Sequence, residues 1–149
     1  MARHNKTGRS KNYERFVALN HSLLNSKAWQ DLRCVARCTY VEIAKRYAGR
    51  NNGRIPFSIR EVAEALHCSR ATAMRALDEL QDHGFLVVTK KGAFNIKHRM
   101  ASEWRLTEHG CDVTDALATK DYARWVKKQN TVSNENPDGC QSETERVSE

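Results

Sequence analysis

The sequence predicts a mainly α domain carrying a small antiparallel β-ribbon. Three observations lead there. Apolar residues recur at helical spacing in three stretches between residues 26 and 80. Each stretch opens on a serine able to cap a helix, Ser26, Ser58 or Ser69. After Gly84 the apolar period falls to two, as in a strand with one buried face.

The first long helix is expected from about Ser26 to Tyr47, with Trp29, Leu32, Ala36, Ile43 and Tyr47 on one face. Upstream, Phe16 to Leu24 is apolar enough to pack on the core as a short strand or extended piece. Asn51-Asn52-Gly53 is a turn signal, and Arg54-Ile55-Pro56-Phe57 is extended because the residue before proline avoids helix. The second helix has Ser58 and Glu61 in capping-box spacing, with Phe57 and Val62 placed as a hydrophobic staple. Its expected buried stripe is Ile59, Val62, Ala63 and Leu66. A break at Leu66-His67-Cys68-Ser69 follows, with His67 tolerating a left-handed backbone and Cys68 plugging the space between helices. The third helix buries Ala73, Ala76, Leu77 and Leu80 and stops at Gly84. Residues 85–107 then read as two or three strands whose pairing the sequence leaves open. A last short helix is expected from Thr119 to Lys128, with Tyr122, Trp125 and Val126 on one side.

The chain has 149 residues, room for one domain at 16–128 between a basic arm at 1–15 and an acidic tail at 129–149, both expected to be flexible. No apolar run has membrane-spanning length and no early block resembles a signal peptide, so an integral membrane protein and a secreted precursor are not expected. The net charge of +7 is unevenly spread: residues 1–60 carry 13 Lys and Arg against 3 acids, and residues 61–149 carry 12 against 15. A basic front half suits a polyanionic partner held by counterion release. Five cysteines without a C-x-x-C pair argue against a disulfide framework or a zinc ribbon, and for reduced thiols in a cytosolic protein. Cys34 and Cys38 are taken as small buried hydrophobes, and Cys111 and Cys140 as lying in or near flexible regions.

The third helix carries the functional argument. Its outward face begins with Arg70, Ala71, Met74 and Arg75 and ends with Asp78, Glu79 and Asp82. The cationic end is thus the N-terminal end, where the helix dipole also favours anions. A helix that meets DNA with its first turns in the major groove needs this polarity.

The stretch SIREVAEALHCSRATAMRALDELQDHGFLVV resembles the helix-turn-helix and first wing strand of the bacterial winged-helix superfamily, as in MarR- and GntR-like regulators and the winged domains of plasmid replication initiators. The matching features are the Ser58 cap, the 66–69 turn, the 72–77 segment and Gly84-Phe85 entering the wing. The resemblance implies a winged helix-turn-helix fold in a bacterial cytoplasmic protein that binds double-stranded DNA. In it the helix at 69–84 enters the major groove and the wing at 85–107 lies on the backbone. It makes Arg70 and Arg75 readers of base edges, with Met74 beside them. Ser69, Thr72 and Arg60 become phosphate contacts, and Lys90, Lys91, Lys97 and Arg99 wing contacts. The stretch from Lys91 to Ser102 is longer than a minimal wing.

The resulting expectation is a sequence-specific DNA-binding protein used in transcriptional control. The alternatives are a replication initiator's DNA-binding domain and a protein-interaction module on the same fold. A homodimer is expected because two half-sites multiply affinity. The first helix, the 16–24 segment or the last helix could pair. The arm, through Arg3, Lys6 and Arg9, either enters a minor groove or only solubilises the chain. Nucleotide-binding, zinc-protease and hydrolase motifs are absent, so no enzyme, cofactor or metal is expected.

Overall fold

A computed structural model of the protein describes residues 15–127 except 93, 96 and 97, with no account of the side chains at 93–99. The 129–149 tail, the arm apart from Arg15, and Lys97 lie outside the described residues, as does the side chain of Arg99.

The described residues form five α-helices, α1 (His21–Leu24), α2 (Lys27–Asp31), α3 (Cys34–Arg46), α4 (Ile59–Ala65) and α5 (Arg70–Asp82). Their strands are β1 (Ile55–Pro56), β2 (Leu86–Lys90), β3 (Phe94–Asn95), β4 (His98–Arg99) and β5 (Glu103–Leu106), and a 3-10 turn spans Asp121–Arg124. β5 lies between β1 and β2 in an antiparallel sheet, with Trp104 opposite Ile55 and Leu106 opposite Leu86. β3 and β4 pair separately as a short hairpin. The fold class expected from periodicity, mainly α with a small antiparallel β element, is therefore observed.

α5 is the central helix and packs against α3, α4 and β2. Ala73 and Ala76 allow this close approach and are buried with Leu77 and Leu80. Phe85, where the chain leaves α5 for the sheet, meets Trp29 and Tyr40 edge-on, each at 5.7 Å, and stacks on Tyr122 at 5.0 Å. Gly84 has φ +76°, and a Cβ there would lie 2.9 Å from Asp121 and Tyr122, so both conformation and space require glycine.

Four expectations are corrected. The helix expected over 26–47 is two helices, because Leu32 and Arg33 are extended. Side chains satisfy the broken ends. The Arg33 N–H and Nε each donate to Glu79 of α5 at 2.7 Å, and Arg37 donates to the carbonyls of Trp29 and Gln30. The 16–24 segment packs on the core through Leu19, Leu23 and Leu24, but only residues 16–20 are without helix, and 21–24 form the one-turn α1 in place of a strand or extended piece. The helix expected over 119–128 shrinks to the 3-10 turn between a left-handed Lys120 and an extended Trp125. Tyr122 is buried there, whereas Val126 is 78% exposed. Finally, Cys34 and Cys38 are exposed on α3, while Cys111 is buried, its thiol 3.8 Å from the Asn52 carbonyl.

Candidate nucleic-acid interface

The first turns of α4 and α5 are fixed by their own caps. The Ser58 hydroxyl accepts the Glu61 N–H, and the Glu61 carboxylate accepts the Ser58 N–H at 2.8 Å, closing the capping box. Arg46 pairs with Glu61 at 3.0 Å and lies over the Phe57 ring at 4.0 Å, tying the end of α3 to the start of α4. Partial burial pushes the Glu61 carboxyl upward, but the Ser58 bonds and Arg46 together outweigh it and hold it below its usual range. Phe57 and Val62, the expected staple, are both buried.

At the turn, His67 has φ +50° and Cys68 is half-buried against the core. The Ser69 hydroxyl accepts the Thr72 N–H at 3.1 Å and lies 2.9 Å from the Thr72 hydroxyl. Their mutual bond uses one hydroxyl proton, leaving the other to donate outward. Capping is thus the first role of this pair, and a phosphate contact can only be added to it.

Arg70, Ala71, Met74 and Arg75 are all exposed on α5. Among the described residues, neither Arg70 nor Arg75 forms an ion pair. Glu79, further along, is turned back onto Arg33 at 2.7 Å. Asp78 and Asp82 remain exposed toward the far end. Glu79 apart, the charge order read from the sequence is therefore also the order of exposed side chains.

A groove of about 940 Å³ opens between the start of α4, the start of α5 and the residues just beyond the Lys90–Glu103 end of the paired β2 and β5, Gly92 and Met100–Ser102. It brings Arg60, Arg70 and Met74 together with Gly92 and Ser102. Arg60 enters with a partner, its Nε donating to Glu64 at 2.8 Å, so any phosphate contact would compete with a solvent-exposed ion pair. Lys90 and Lys91 are exposed at the end of β2, where Gly92 N–H donates to the Ser102 hydroxyl at 3.0 Å. Ser69, Thr72 and Arg75 do not line this groove; Thr72 and Arg75 border a smaller hollow beside Arg33 and Glu79.

Two of the large exposed hydrophobic residues of the groove were not expected from the sequence. Ile59, expected in the buried stripe of α4, is 38% exposed because the position after the cap faces away from the core. Met100 is 44% exposed between β4 and β5, where no periodic signal marks it. No family profile, curated protein or solved structure matches this chain.

Proposed function

We propose that this chain is a double-stranded DNA-binding protein of winged helix-turn-helix type, using the start of α5 in the major groove. The observation that carries the reading is the exposed Arg70–Arg75 ridge, which has no ionic partner among the described residues. A guanidinium in the major groove can bond guanine O6 and N7 together, and phosphates favour the cationic end of the helix. Glu79 is held by Arg33, so the acid nearest Arg75 along the chain toward the far end, apart from Asp78, is already neutralised. Lys90 and Lys91 at the end of β2 suit backbone contacts from a wing.

Transcriptional control is the use the sequence resemblance implies, with a homodimer on paired half-sites. The test is selection from randomised duplexes, followed by anisotropy titrations across a salt series. The reading requires a selected sequence, a steep negative salt slope and weaker binding by R70A and R75A. Indifference of both variants would overturn it. One or two sites near promoters fit a regulator, tandem repeats an initiator, and salt-insensitive protein capture an interaction module.

A further inference from the structure

The exposed ridge is not uniformly cationic. At about 100° per residue, Arg70, Met74, Ala71 and Arg75 follow one another within roughly 140° of arc. Two apolar side chains thus lie between two guanidinium groups. Met74 is 47% exposed, and it shares its groove with Ile59 and Met100, 38% and 44% exposed. None of these three belongs to the buried core. Along the axis Arg70 and Arg75 are about 7.5 Å apart, with Met74 about 6 Å from Arg70. That offset matches about two base-pair steps of roughly 3.4 Å.

We infer that Met74, with Ala71 beside it, reads a thymine 5-methyl group in the major groove between base pairs contacted by Arg70 and Arg75. The inference rests on the DNA-binding reading and adds to it a base identity and the residue that selects it. Thymine alone among the four bases shows a methyl group on its major-groove edge. Methionine is unbranched and polarizable and can follow the position of that methyl. Ala71, one turn earlier, is small enough to let the base edge approach. Guanine in the same place would present two acceptors to a thioether that has no hydrogen to donate, leaving them unbonded. The arrangement therefore favours thymine by contact and disfavours guanine by desolvation.

The experiment uses the full chain and the duplex selected from a randomised pool. Each thymine is replaced in turn by deoxyuridine, which keeps the pairing and lacks only the methyl. One position is expected at which uracil weakens binding about three- to fivefold, in line with the loss of one buried methyl. M74A and M74Q, both at a half-exposed site, should bind the thymine and uracil duplexes within a factor of two of each other. Uracil tolerated at every position, with salt-sensitive and Arg70-dependent binding retained, would overturn this inference and leave the DNA-binding reading standing. Undiminished discrimination by both Met74 variants would equally overturn it. Failure to bind any duplex would remove the reading beneath it.

Discussion

Asn52 is fully buried, and its side chain joins three segments of backbone. Its Nδ2 lies 2.9 Å from the Leu106 carbonyl, 3.1 Å from that of His109 and 2.7 Å from that of Gly110. Its Oδ1 accepts the Leu106 N–H at 2.7 Å. Asn52→Ala would strand the Leu106 donor and leave carbonyls under-bonded at the edge of β5. One buried unsatisfied group costs about 1–3 kcal/mol, and a combined loss of about 3 kcal/mol follows. For a domain of this size that lowers the melting temperature by roughly 12 °C. Thermal unfolding followed by circular dichroism measures it. Asn52→Asp separates hydrogen bonding from volume: its carboxylate has nothing to donate to three carbonyls. That variant should be at least as unstable at neutral pH, and should recover as acid protonates the buried carboxyl. A fall below about 4 °C for the alanine variant would refute the view that Asn52 secures this end of the sheet.

In the DNA-binding reading, Arg75→Ala and Arg70→Ala each cost about 1–3 kcal/mol and relax base preference, whereas Lys91→Ala weakens all duplexes alike and flattens the salt slope by about one; titrations on matched and scrambled duplexes distinguish them. Gly84→Ala forces a side chain into a left-handed position against Asp121, and urea unfolding should show a loss of at least about 1 kcal/mol. The Glu61 carboxyl lies below its ordinary value of 4.5, so its contribution is present above that value and is lost as pH falls through the lowered one. Glu61→Gln should accordingly show a shallower loss of stability on acidification below about pH 4.5, measured against the parent by the denaturation midpoint at each pH.

The parts of the fold legible in sequence are those held by local chemistry. Ser58 and Glu61 are three residues apart and satisfy each other, so the start of α4 can be read from their spacing. The alanine-leucine stripe of α5 and the glycine after it are equally local. The break between α2 and α3 is different. Its Arg33 N–H finds its acceptor on Glu79, which is 46 residues away, and no proline or glycine marks the place. Periodicity runs straight through it, since Trp29, Leu32 and Ala36 are all buried despite the change of helix. The turn at 121–124 is shorter than the apolar spacing of 119–128 suggests for a related reason. Trp125 stacks on His83 at 4.3 Å, and that distant contact, rather than a helical face, explains its partial burial. At the candidate site the cationic ridge could be read from charge order, because α5 is regular. The groove could not, because it needs Gly92 and Met100–Ser102, beyond the paired ends of β2 and β5, brought beside α4.

The anchoring of the 3-10 turn also decides where residue 127 lies. Asp121 and Tyr122 lie against Gly84, and Lys127 pairs at 2.7 Å with Asp31, whose carboxylate also meets His83 at the end of α5 at 3.1 Å, so residue 127 lies near the last turn of α5. That turn is about 18 Å along the axis from Arg70. A reporter or tether joined after residue 127 therefore starts from the end of the helix remote from the arginine ridge, and immobilising the protein there should keep the ridge facing open solution.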